Sequence, residues 1–339
     1  MTNLDRAIDA AFAPAQAAVE QGRIPAAVAG VVTGNGRSAV RWAGHAALVP
    51  ARVPAARATI FDLASLTKVI FTTTEVLRLV EDGAIGLDDP LTRAIPDLRQ
   101  YDVGGAAERR LTFRQCLAHA SHLPAVEPIY TYGDDPERLK AFVLQREWRA
   151  GPPVYSDINF ILLGIAIERL RRVPLRTRPL PAGLTFLPDP AQCAATEACS
   201  WRGRVMRGAV HDENAYALGG AAGHAGLFGT IDGVLGFAAD LLAGRALCAE
   251  SIAAIRTRVH ANRTVGWEIA HGEWSGGTRC SPDTIGHTGF TGTGLWIDFA
   301  RGYAWSLLTN RVHPSRHVDT GIVALRRAVG DALAHEMAG

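Results

Sequence analysis

A chain of 339 residues with 48% hydrophobic and 20% charged side chains has an ordinary globular composition and can bury a large core without disulfides or metal. Lys plus Arg number 35 and Asp plus Glu 33, so the formal charge of +2 carries no basic footprint for nucleic acid. No run reaches the roughly 18 to 20 apolar residues that span a bilayer, which excludes a membrane-spanning helix.

Residues 4–21 are Ala-rich, with Leu4, Ile8, Phe12 and Val19 at helical spacing, and predict an amphipathic helix. Two Val-rich runs follow, Ala26–Thr33 and Ser38–Ala43. Gly34-Asn35-Gly36 between them is a hairpin signal. The next helix is expected over 67–82, with Gly83 placed to end it. Helical patterns recur at 112–119, 136–147 and 158–171, broken by Pro and Gly, whereas 173–205 reads as irregular loop. The cluster Arg169, Arg171, Arg172, Arg176 and Arg178 reads as a solvated helix end. A helix is expected at 231–243, then strands at Val265–Ala270, Thr293–Phe299 and Tyr303–Asn310, and a closing helix at 319–336. Strands at both ends and helices between predict an α+β (mixed α/β) fold. Its antiparallel sheet is flanked by the terminal helices, with residues 1–98 and 230–339 in the sheet domain and 99–229 as a mainly helical insertion.

Three segments carry chemistry. The first is Ser65-Leu66-Thr67-Lys68. On a helix, residues three apart share a face, so the Lys68 amine can reach the Ser65 hydroxyl, which needs a base to act as nucleophile. Phe61, Leu63, Ala64, Leu66, Val69 and Ile70 surround the pair with apolar groups, and burial disfavours an ammonium. Taken alone, Ser-x-x-Lys is far more often the mark of a capping serine beside an exposed lysine. The second is Tyr155-Ser156-Asp157 at a loop-to-helix junction, where a phenol can relay a proton. The third is Gly286-His287-Thr288-Gly289-Phe290-Thr291-Gly292-Thr293, leading into a strand. Its glycines let a substrate approach the backbone, and its N–H groups can complete an oxyanion hole.

That order of segments resembles the penicillin-recognising serine hydrolase superfamily of class C β-lactamases, DD-peptidases and related esterases. Gly86-Leu87-Asp88-Asp89-Pro90, Leu117–Pro124 and Gly219–Phe228 look like further family segments, and His211–Ala215 points to a branch acting on muropeptides. The resemblance implies that Ser65 is acylated, that Lys68 and Tyr155 move its proton, and that the N–H groups of Ser65 and Phe290 hold the oxyanion. His287, followed by Thr288 and Gly289 at the substrate edge, stands where the family has Lys. Asp157 stands where it has Asn, supporting the site from behind. A neutral His287 weakens the expectation of rapid β-lactam turnover. Asp157 favours a charged Lys68 and shifts weight to Tyr155 as base.

Competing readings are a metal hydrolase and a non-catalytic peptidoglycan-fragment-binding protein, or a weak penicillin-binding protein, that keeps the fold. His119, His122, His211, Asp212 and His224 are potential ligands but lack tight ligand spacing, so no metal is expected. Gly34-Asn35-Gly36 lacks the Lys-Ser/Thr of a phosphate loop, and no cofactor is expected. The expected partner is a small-molecule or muropeptide-like substrate. The N-terminus lacks a secretory pattern and Cys116, Cys193, Cys199, Cys248 and Cys280 form no CxxC pair. Both predict a cytoplasmic protein, with a mature periplasmic form also open.

Overall fold

The computed structural model describes residues 3–338. The two ends of the chain meet in one sheet. Strands β1 (Ala26–Thr33), β2 (Ser38–Ala47) and β3 (Val53–Pro54) join β9 (Glu268–Ile269), β10 (Ile285–Thr288), β11 (Gly294–Asp298) and β12 (Tyr303–Thr309) in the order β3-β2-β1-β12-β11-β10-β9. Every neighbouring pair is antiparallel, and β1 runs beside β12 from Ala27↔Thr309 to Thr33↔Tyr303. The fold is therefore the mixed α/β, antiparallel architecture that the sequence predicts.

Alternation along the strands explains the layers. Ala27, Ala29 and Val31 of β1, with Trp296 and Trp305, pack under the terminal helices α1 (Asn3–Glu20) and α9 (Ile322–Met337), against Ile8, Phe12 and Leu325. Val28 and Val32 point the other way, onto Val234 and Leu235 of α7 (Ile231–Leu242). Burial of each such side chain is worth ~1.5–3 kcal/mol, so a strand covered on both faces reads as a near-continuous apolar run. Trp296 and Trp305 face each other across β11 and β12, stacked at 5.7 Å.

The middle of the chain supplies α2 (Thr74–Glu81), α3 (Phe113–Leu117), α4 (Pro136–Gln145), α5 (Asp157–Arg171), α6 (Glu213–Ala217) and α8 (Ala249–Arg256). The apolar side of α5 continues the core that lies on the α7 face of the sheet.

Several elements differ from expectation. The segment 173–205 is not all loop. Strand β5 (Leu184–Thr185) pairs with β8 (Phe228–Gly229), which also pairs with β4 (Phe61–Asp62), and β6 (Ala195–Cys199) forms a hairpin with β7 (Arg204–Arg207). Two-residue strands leave no periodicity to read. The strand expected over 265–270 shrinks to β9, and His287 and Thr288 lie in a strand of their own, β10, ahead of the expected strand at 293–299. Residues Lys68–Thr73 wind as a π-helix before α2, because the Thr73 and Thr74 hydroxyls take the carbonyls of Lys68 and Val69 five residues back. The arginines of 169–178 are largely paired: Arg169 with Asp97, Arg171 with Glu75 and Asp82, and Arg178 with Glu75.

Candidate active site

Ser65 sits in the tight turn that follows β4. Ala64, just before it, adopts φ +47°, a left-handed conformation costly for a residue with a Cβ. The surrounding bonds hold it there. Asp62 Oδ1 accepts the Ala64 N–H at 2.9 Å, and the Thr67 hydroxyl donates to Ala64 O at 2.6 Å. From the sheet side, the Thr291 hydroxyl donates to Asp62 O at 2.7 Å and that of Thr293 to Leu63 O at 3.0 Å. The substrate edge and the nucleophile turn are thus bolted together. Gly289 is the point of closest approach: a Cβ there would lie 2.5 Å from Leu63 O and 2.1 Å from Thr293 Oγ1.

Lys68 is fully buried. Its Nζ donates to Ser65 Oγ at 2.9 Å and to His224 O at 3.2 Å, and lies 2.8 Å from Asp157 Oδ1. An ammonium has three donors, and here three acceptors surround it. Burial opposes the charge, but the Asp157 carboxylate and Tyr155 together outweigh it and raise the amine above its ordinary pKa. Lys68 is therefore an ammonium at neutral pH. The carboxylate that favours the charged form is Asp157, the residue that stands where the resembled family has Asn.

His224 reaches Lys68 through the Gly-rich segment. A Cβ on Gly223 would stand 1.9 Å from Phe160 O, so only glycine lets this segment lie against α5. The His224 ring bonds Asp212 Oδ1 at 2.8 Å, and Asp212 also caps α6 through the Ala215 N–H. Burial works against the Asp212 carboxylate, yet His224 and these hydrogen bonds hold it well below the usual range. Ligand atoms of Asp157, Asp212 and His224 lie within 4.8 Å of one another, which is metal-like spacing. The positive charge beside them is the Lys68 ammonium. His211 instead bonds Glu197, and His119 accepts the Ser156 N–H, so neither joins that group.

Tyr155 and Asp157 flank Ser156, the N-cap of α5, whose hydroxyl accepts from Asn159 N and donates to Pro124 O. The cap fixes the junction and leaves Tyr155 and Asp157 on the cleft wall. The Tyr155 ring lies 4.4 Å from His119 and 5.9 Å from His287, centroid to centroid. Two cations face it, Lys68 Nζ at 4.9 Å and the Arg263 guanidinium at 5.3 Å. His287 donates from Nδ1 to Thr288 O at 3.0 Å. Burial, with Arg263 and Lys68 nearby, pushes its pKa well below the ordinary value, so the imidazole is neutral.

Ser65, Tyr155, Asp157 and the edge His287-Thr288-Gly289-Phe290 line one cleft of about 550 Å³. Among the described residues, neither Ser65 N–H nor Phe290 N–H donates to another backbone carbonyl. The arrangement can therefore offer a hydroxyl, a proton carrier and two free N–H donors to one carbonyl group. Residues missed by the sequence reading are Asp62, Thr291 and Thr293, which position the turn, and Arg263, Arg311 and Arg326, which line the cleft. Thr291 and Thr293, two apart between β10 and β11, carried a readable signal; the arginines, dispersed along the chain, did not.

A family model described as Beta-lactamase matches residues 8–328. The chain belongs to this family. A "Putative D-alanyl-D-alanine carboxypeptidase" of Escherichia coli (strain K12) is 30% identical over 311 residues, covering 77% of this chain and 71% of the relative. Among solved structures, "EstCE1, a hydrolase with promiscuous acyltransferase activity" superposes with a TM-score of 0.74 at 20% identity, covering 97% of this chain and 99% of that one. A class C beta lactamase from Rhodobacter sphaeroides gives 0.71 at 20% identity over 96% and 99%. This beta-lactamase-family chain thus has the β-lactamase and transpeptidase-like fold, and the family and its carboxypeptidase-named relatives mark it as a hydrolase.

Proposed function

We propose that the chain is a serine hydrolase that cleaves an ester or amide bond through an acyl-enzyme on Ser65. The observation that carries this reading is the Ser65 Oγ–Lys68 Nζ contact of 2.9 Å, with the amine fully buried and Ser65 open to the cleft. Ser65 Oγ attacks the carbonyl carbon while its proton passes to the Tyr155 oxygen and the phenol's own proton passes on to the leaving alcohol or amine, so the phenol is regenerated. Lys68 and Arg263 flank that phenol and meet the negative charge that builds on its oxygen as its own proton departs. The N–H groups of Ser65 and Phe290 receive the oxyanion. Water then attacks the Ser65 ester by the reverse path, its proton passing to Tyr155 as the phenol's proton returns to Ser65 Oγ. Lys68 stays an ammonium throughout and fixes the Ser65 hydroxyl.

The relatives' names favour a muropeptide-like amide within that class, and the esterase neighbour favours an ester. A β-lactam is expected to acylate slowly and not to turn over rapidly, because the neutral His287 offers no cation to a substrate. A fluorophosphonate probe should label the intact protein once, on the peptide carrying Ser65, and Ser65→Ala should abolish the label. An unlabelled wild-type protein without ester hydrolysis would favour the non-catalytic binding reading instead.

A further inference from the structure

Tyr155 stands at the centre of the proposed proton path, yet its own segment gives it little support. Residues 151–156 form neither helix nor strand, and they are tied to the stretch 119–125 instead. The Gly151 N–H donates to His122 O at 3.1 Å, the Asp157 N–H to Ala125 O at 2.8 Å and the Ser156 hydroxyl to Pro124 O at 2.6 Å. The Ser121 hydroxyl reaches Asn159 of α5 at 2.8 Å. The run Leu117–Pro124, prominent in the sequence, is thus the bed of the Tyr155 junction. One side chain in it touches the tyrosine. His119 Nδ1 accepts the Ser156 N–H at 3.0 Å, and its ring lies 4.4 Å from that of Tyr155, tilted by 35°.

An amide N–H can only donate, so Nδ1 carries the lone pair and the ring proton sits on Nε2. Burial and the neighbouring charges of Arg263 and Lys68 keep the ring neutral. Two features of this histidine work against stability. Its Nε2–H group is buried without a partner among the described residues, and its backbone is left-handed at φ +52°. Phenylalanine would fill the same space without the unpaired donor, and asparagine would suit the backbone while still accepting from Ser156. Only histidine supplies both an acceptor for the amide and a ring face for the phenol. We infer that His119 is a positioning residue for Tyr155. Its Nδ1 fixes the backbone joint after the tyrosine, and its ring face fixes the plane of the phenol. Together they set the phenolic oxygen between Ser65 and the leaving group. The effect of His119 on turnover rests on the reading of Tyr155 as proton carrier; its hold on the ring rests on the contacts alone.

The test uses the intact chain with two variants. His119→Phe keeps a ring, and His119→Asn keeps the acceptor and suits the left-handed backbone should the first variant fold poorly. Crystal structures of both should show the Tyr155 oxygen displaced by roughly 1 Å, or the ring in a second rotamer, a shift large enough to slow a reaction by about 10²-fold. Turnover of 4-nitrophenyl butyrate should accordingly lose about tenfold or more in kcat, with KM within about twofold of the wild type. In a Tyr155→Phe background the same substitutions should cost nothing further, because His119 acts through the phenol. Tyr155 unmoved in both variants, or a kcat loss of equal size in both backgrounds, would overturn the positioning role and leave the hydrolase reading intact. A displaced Tyr155 with undiminished turnover would uphold His119 as the residue that places the ring and overturn Tyr155 as the proton carrier.

Discussion

Lys68 is held between opposing forces. Burial works against its charge, and Asp157 with Tyr155 outweighs that effect. Removing the carboxylate therefore has a signed consequence. In Asp157→Asn the amine's pKa should fall, because burial then meets less opposition, and the pH profile of Ser65 labelling should show its falling limb, where the ammonium that fixes the Ser65 hydroxyl is lost, at lower pH than in the wild type. A profile displaced to higher pH would contradict the assignment of Asp157. Tyr155→Phe should lower acylation by about 10²–10⁴-fold while ligand binding persists, as expected for loss of the proton carrier. The residues of this centre were legible in the sequence where they lie in short segments, Ser65 to Lys68, Tyr155 to Asp157 and His287 to Phe290. The charge state of Lys68 was not, because it depends on how closely Asp157 approaches, a distance that only the packing of α5 against the nucleophile turn sets.

Among the elements, the seam between β4 and the turn after β10 decides whether the cleft exists. Thr291 and Thr293 cross it with hydroxyl hydrogen bonds, and Gly289 permits the approach. Thr293→Val keeps the volume and loses the bond to Leu63 O, and should cost about 1 kcal/mol in chemical unfolding. Gly289→Ala should cost about 1–3 kcal/mol and depress Ser65 labelling more than its stability loss explains, because the new methyl group pushes the substrate edge off the nucleophile turn. Equal labelling of Gly289→Ala and wild type would show that the seam is looser than the contacts imply. The long helices and the strands β1, β2, β11 and β12 were readable from periodicity. Strands β4, β5 and β8 were not, since two residues cannot show alternation, and the π-turn at Lys68–Thr73 was hidden because its cause, the pair Thr73 and Thr74, also suits an ordinary helix.

For the whole molecule, stability should carry the signature of Asp62. Burial raises its carboxyl from the ordinary 3.8 to about 6, although the N–H groups of His211 and Ala64 hydrogen-bond to it. The folded state then holds this proton more tightly than the unfolded one. Stability contributed by the proton is present in full below the ordinary value and declines as pH rises toward about 6, by on the order of 3 kcal/mol, with no further loss above. Asp212, held low, acts with the opposite sign and at more acid pH, so the two effects separate. Urea unfolding of the wild type and Asp62→Asn between pH 4 and pH 6.5 should show the decline in the first and a flatter curve in the second. The closure of the sheet by both chain ends was readable from the distribution of strands, whereas the convergence of Arg263, Arg311 and Arg326 on one cleft was not, because residues so far apart in sequence meet only once that sheet has formed. The measurement that bears most directly on the central claim is acid-quench mass spectrometry during turnover of 4-nitrophenyl butyrate. The account predicts a butyryl group on the peptide containing Ser65, absent in Ser65→Ala, and turnover with the acyl group on another residue, or on none, would contradict it.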